Sequence, residues 1–163
     1  MRTRTLGAAA LVAAVVGCRD MSARPLAVLS PEARSAALAA TLAYRDAWLS
    51  NRPEKVMATL TSDAVLLPSG MEPIAGAAAI RAFWWPAEGP ATTVTAMEQT
   101  IDEIAGEGVL AIVRGHGSLT FTMRENGRET TRSQRSTFLN VVRRQADGSW
   151  KITHRMWSDL KGR

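Results

Sequence analysis

Residues 109–144, VLAIVRGHGSLTFTMRENGRETTRSQRSTFLNVVRR, read as two long strands meeting at Asn126-Gly127. Asn-Gly supplies the pair of positive-φ positions that a tight hairpin turn demands, so the dipeptide marks the tip of a β-hairpin. Working outward, Gly106 to Gly108 separates this hairpin from an earlier strand, Thr92 to Ala105, and Asp147-Gly148 separates it from a last one, Trp150 to about Asp159. The second half of the chain is therefore an antiparallel sheet of consecutive strands.

A two-residue turn also fixes register, because paired residue numbers sum to a constant along the hairpin. Arg124 is expected opposite Glu129, and Ala146 opposite Ser149 across the following turn. This register puts Leu110, Ile112, Arg114, His116 and Ser118 on one face with Arg135, Thr137, Leu139, Val141, Trp150, Ile152, His154 and Met156. The other face receives Val113, Gly115, Gly117, Phe138, Asn140, Thr153, Arg155 and Trp157.

The first half reads as helices. At Ser30-Pro31-Glu32 the Ser caps, Pro suits the first helical position, and an early Glu complements the dipole. The helix is expected to run to about Leu49, with Ala37, Thr41, Tyr44 and Trp48 on one stripe. A second, short helix begins at Asn51 and Pro53, continues through Val56 and Leu60 and ends near Ser62. Val65, Leu66 and Leu67 form a buried strand stopped by Pro68, and a third helix spans Ala77 to Trp85, before Pro86. Helices first and antiparallel strands afterwards make an α+β arrangement.

With 46% hydrophobic and 21% charged residues, the 163-residue chain is neither a disordered polymer nor a multi-span membrane protein, and its length suits one domain. The formal charge of +5 is spread along the sequence without a basic stripe or a reading motif, so nucleic acid is not an expected partner. Arg2 and Arg4 precede an uncharged stretch, Leu6 to Gly17, of signal-peptide length and too short for a permanent bilayer span. It ends in Val15-Val16-Gly17-Cys18, which resembles the bacterial lipobox, and Cys18 is the only cysteine. The expected organisation is a signal peptide over residues 1–17, a tether over 18–29 that starts at a lipidated Cys18, and a domain over 30–163. Such a protein is exported and held on the periplasmic or outer side of a bacterial membrane by its acyl chains.

The order of Tyr44 to Trp48, Leu60 to Val65 (LTSDAV), Pro73 to Phe83 and Gly148 to Trp157 resembles the NTF2-like superfamily, specifically the SnoaL-like proteins filed as domain of unknown function 4440. The resemblance covers roughly Ser30 to Asp159 and implies a cone: three helices packed on a strongly curved antiparallel sheet around a pocket, usually in a homodimer. It does not imply one activity, since function lives in the site rather than the fold. In the steroid isomerase branch a first-helix Tyr and a sheet Asp form an oxyanion hole, with a second Asp as base. Tyr44 matches the first; the other positions fall at Leu67 to Pro68 and Ser133 to Ser136, where no acid stands. The Asp-Arg-Asp set of the epoxide hydrolase branch finds Arg114 but no carboxylate between Val109 and Arg124.

These residues point to a cone that binds a small, partly apolar molecule with an anionic end, without a cofactor or metal. The expected lining is Tyr44, Trp48, Arg114, His116, Arg135, Thr137 and His154. Arg114 and Arg135 suit an anionic substituent, and a neutral His116 or His154 near a carbonyl, with Tyr44, would serve a cofactor-free isomerase, dehydratase or cyclase. The flanking Gly115 and Gly117 mark a close approach at His116. The opposite face, with Val113, Phe138 and Trp157, is then the expected homodimer surface; after a register shift Asn140, Thr153, Arg155 and Trp157 would line the pocket instead. An assembly module, the remaining alternative, would have its cavity filled by Trp48, Phe83 and Trp84.

Overall fold

The structure, a computed structural model, describes residues 28–88 and 90–160. The expected signal peptide, Cys18 and most of the tether lie outside the described residues. Helix α1 (Pro31–Leu49) starts where the capping signal puts it, and the Ser30 hydroxyl accepts the Ala33 amide hydrogen at 3.2 Å. Its buried residues, Ala37, Thr41, Tyr44 and Ala47, form a narrow stripe of mostly small side chains that brings the helix close to the sheet. Helix α2 (Pro53–Ala58) is followed by β1 (Leu60–Leu67), β2 (Ile74–Ala75) and α3 (Ala77–Trp84). Four long strands complete the chain: β3 (Ala91–Glu107), β4 (Leu110–Glu125), β5 (Arg128–Arg144) and β6 (Trp150–Asp159).

The second helix is shorter than its sequence suggests. It ends at Ala58 because the Thr59 hydroxyl bonds back to the Val56 carbonyl and Leu60 is drawn into parallel pairing with Ile152. Leu60 to Ser62 are thus strand, with Leu60 and Thr61 buried.

All strands join one sheet in the order β2-β1-β6-β5-β4-β3, with β1 parallel to β6 and every other pair antiparallel. The hairpin register holds: Arg124 pairs with Glu129, and His116 with Thr137. Between β5 and β6 it slips once. Val141 pairs with His154 as the arithmetic requires, but beside the turn Val142 pairs with Ile152 and Arg144 with Trp150. Gln145, not the expected Ala146, thus meets Ser149, its backbone amide donating to the Ser149 carbonyl at 2.7 Å, and a bulge beside Thr153 turns Ile152 into the core. Two further irregularities in β3 bend it against β4.

α1 packs across β3 to β6, and the face it covers carries Ala111, Val113, Phe138, Asn140, Val142, Ile152 and Arg155, all buried. That is the face expected to point away from the helices. Gly115 and Gly117 explain the choice. A Cβ at either position would run into a backbone carbonyl of β3, of Thr100 or Glu98 respectively, so this is the crowded, concave side of a bent sheet. Phe138 lies directly across from Gly115 and its ring occupies the space the missing side chain leaves. The fully buried Val56, Leu66, Ile80, Val113, Val142 and Ile152 complete the core, each stabilising by roughly 1.5–3 kcal/mol.

Candidate functional site

Between α1, α3 and the concave face of the sheet lies a cavity of about 340 Å³, at the small end of the range typical of ligand sites. Of the chain's five Trp, three Phe and one Tyr, all but Trp150 line it. Trp48 is the hub: its indole stacks on Trp85 (5.3 Å, 23° between planes) and meets Trp84 edge-on at 5.1 Å and Tyr44 edge-on at 6.2 Å. Trp84 and Trp85 are delivered together because α3 ends there, ahead of Pro86.

Asn51 fixes the mouth. It adopts φ 51°, a conformation asparagine tolerates better than most residues, and its side-chain amide bonds both ways to the backbone of Val94, at 2.7 and 2.8 Å. The turn after α1 is thereby tied to β3. Arg52 and Glu98 line the cavity with exposed side chains, and Glu98 is the one carboxylate in its lining among the described residues.

Arg155 dominates the electrostatics. It is 7% exposed, and its Nη1 donates to the Asn140 Oδ1 at 2.7 Å. The guanidinium carbon stands 4.6 Å from the Tyr44 ring centre, 5.2 Å from that of Phe138 and 5.9 Å from that of Trp157. Among the described residues no carboxylate lies within ion-pair distance of it. The cation is therefore held by one amide and three aromatic faces. Burial pushes the Tyr44 phenol above its ordinary pKa, against the opposing pull of Arg155, so at neutral pH the phenol is a hydrogen-bond donor as well. Further polar atoms are buried without partners: the Asn140 Nδ2, and both ends of the Gln99 amide, which lines the cavity.

Residues 41–154, from the middle of α1 into β6, match the family described as "SnoaL-like domain". The chain belongs to that family. Its fold is shared with a ketosteroid isomerase-like protein from Erwinia carotovora atroseptica SCRI1043, at 24% identity and a TM-score of 0.68 over 82% of this chain and 100% of that one. A conserved protein from Planctomyces limnophilus DSM 3776 aligns at 18% identity and a TM-score of 0.63, covering 79% and 99% of the two chains. An NTF2-like protein with a cystatin-like fold from Novosphingobium aromaticivorans aligns at 22% and 0.52, covering 81% and 84%. At these identities the likeness is one of fold. No curated protein sequence matches significantly.

Of the residues that the sequence assigns to the pocket of this SnoaL-like domain, Tyr44 and Trp48 line it. Arg114, His116, Arg135, Thr137 and His154 stand outside it, exposed on the convex face. Arg114 is held there by Asp102 and Glu103 (3.3 and 3.1 Å), and His116 Nδ1 meets Asp102 at 3.1 Å. His154 is separated from that cluster by β5. The glycines beside His116, not the histidine, face inward, and Gly117 is part of the cavity wall. The convergence of one Arg and two His inside the cone is thus corrected, with bending of the sheet toward its glycine side as the reason. Arg155 and Trp157, read as lining only for a shifted register, are in the wall; Asn140 braces Arg155 from below, and Thr153 is buried. Gln99 was missed. No sequence signal marks it, because strand residues 92–105 alternate polar side chains on both faces.

Proposed function

We propose that this SnoaL-like domain binds a small aromatic or partly apolar anion, with a carboxylate seated on Arg155 and an apolar body between Trp48, Trp84, Trp85 and Phe138. The observation that carries this reading is the buried guanidinium without a paired acid, in a wall to which eight aromatic side chains contribute. A desolvated cation of this kind recruits an anion far more strongly than a solvated one, and the Tyr44 phenol adds a donor. Trp48, Phe83 and Trp84 line the cavity without closing it, which favours a binding role over a purely structural one.

In the same proposal the protein is exported and tethered through an acylated Cys18, so the cone samples ligands outside the cytoplasm. A homodimer is also part of it, and Leu110, Ile112 and Met156, 43–46% exposed on the convex face, support an association surface there. Val113 and Phe138, first expected to form that surface, are buried behind it, and Trp157 lines the cavity.

Thermal denaturation of the full chain with cinnamate, set against cinnamyl alcohol, tests the pocket. A rise in melting temperature with the acid alone is expected; equal shifts, or none with the acid, refute the anion reading. Metabolic labelling with a fatty-acid analogue tests the tether, and label retained by Cys18→Ser refutes it.

A further inference from the structure

Gln99 is the cavity residue whose side-chain donor and acceptor are both buried and without partners among the described residues. It pairs across the sheet with Gly117, which offers no side chain, and the strands run too close there for a Cβ at 117 to pass the Glu98 carbonyl. Neither β4 nor its own strand supplies the amide with a partner.

Its position relative to Arg155 follows from register. Gln99 is level with Gly117, Ser136 and Asp159 on successive strands, so it lies three strands across from β6 and four residues along from Arg155. On a flat sheet that is roughly 19 Å between backbones. The bend of the sheet and two long side chains shorten it, since both residues line one cavity of about 340 Å³. A cavity of that volume admits a ligand the size of one ring with a short acyl arm.

We infer that Gln99, its amide turned out of its buried position toward the cavity by a bound ligand, is a second recognition point, and that the ligand class is an aromatic carboxylate bearing, at the end remote from its charge, a hydroxyl or similar group that both donates and accepts. The inference rests on the reading of Arg155 as the carboxylate anchor. A primary amide offers donor and acceptor together, so only a group with both capacities satisfies it; a pure acceptor or an apolar end leaves part of it unpaired. Sites that hydrogen-bond a ligand hydroxyl discriminate strongly against the analogue lacking it, because the buried protein group is then stranded.

Calorimetric titration of the full chain with 4-hydroxycinnamate and with cinnamate tests this. The wild type is expected to prefer the hydroxylated acid by about tenfold or more. Gln99→Leu is expected to erase the preference, keep cinnamate affinity within about twofold, and raise the melting temperature of the unliganded protein by removing a stranded amide. A preference that survives in Gln99→Leu, or a melting temperature that falls, overturns the inference and leaves the anchor reading standing. If Arg155→Met binds both acids like wild type while Gln99→Leu loses the preference, the anchor reading fails and the role of Gln99 stands. Binding of neither acid by the wild type at millimolar concentration overturns both.

Discussion

Replacing Arg155 by Met separates a binding role from a structural one, because the two make opposite demands on stability. Burying an ion costs several kcal/mol even after relaxation. Against this, the guanidinium has one charge-assisted hydrogen bond, to Asn140 at 2.7 Å, contributing roughly 1.5–3 kcal/mol, and a close face contact with Tyr44 at 4.6 Å, contributing about 2 kcal/mol when desolvated. The two sides nearly cancel. Met keeps most of the volume, removes the desolvation cost and strands the Asn140 Oδ1, at roughly 1–3 kcal/mol. The expected net loss is roughly 1–3 kcal/mol, or a melting temperature lower by about 2–12 °C.

Binding should respond very differently. Truncating one partner of a buried charge pair costs about 2–5 kcal/mol, roughly 30-fold to several thousand-fold in Kd for an aryl carboxylate. With ligand at 100 times the wild-type Kd, the wild type gains about 2.7 kcal/mol of stability, while the variant gains less than about 1 kcal/mol. Differential scanning calorimetry with and without cinnamate reads both quantities. A variant that loses more than about 4 kcal/mol yet still binds the acid would show that Arg155 is a strut for the sheet, and the reasoning would be wrong.

The chain has one tyrosine, so phenolate absorbance reports on Tyr44 alone. Its folded-state pKa is raised, chiefly by burial, so the stability it contributes is complete below the ordinary value near 10 and is lost as pH rises through the folded value; the absorbance step should lie above pH ~10 and coincide with alkaline unfolding. A titration centred near pH 10 in folded protein would contradict this. Gly117→Ala should destabilise the domain by roughly 1–3 kcal/mol, because its Cβ meets the Glu98 carbonyl and the strands must separate; urea denaturation measures it, and an unchanged midpoint refutes the close approach. His116→Ala and His154→Ala, on the convex face, should leave cinnamate affinity within about twofold and stability within about 0.5 kcal/mol, and a tenfold loss of affinity in either would put the site on the other face.

The strands, their hairpin turn and the pairing of Arg124 with Glu129 were legible in the sequence because they are local. Asn126-Gly127 specifies a turn, and a turn specifies a register, whatever surrounds it. The start of α1 at Ser30-Pro31 is local in the same way, and the stripe through Tyr44 follows from helical period alone. Which face of the sheet meets the helices is not local. Both faces mix apolar and polar side chains, Leu110, Ile112 and Val141 on one against Val113, Phe138 and Val142 on the other, so hydrophobicity does not choose between them. The choice came from curvature: a sheet that bends over α1 crowds its concave side, and the side carrying Ala111, Gly115 and Gly117 is the one that fits. That one decision moved His116 and His154 out of the cavity and brought Arg155 in. The sequence alone determined an α+β chain with the hairpin of β4 and β5 in known register and a Tyr-Trp stripe on its first helix. Tertiary structure decided which side chains share the cavity, because backbone crowding in a bent sheet depends on how several strands and a helix pack at once.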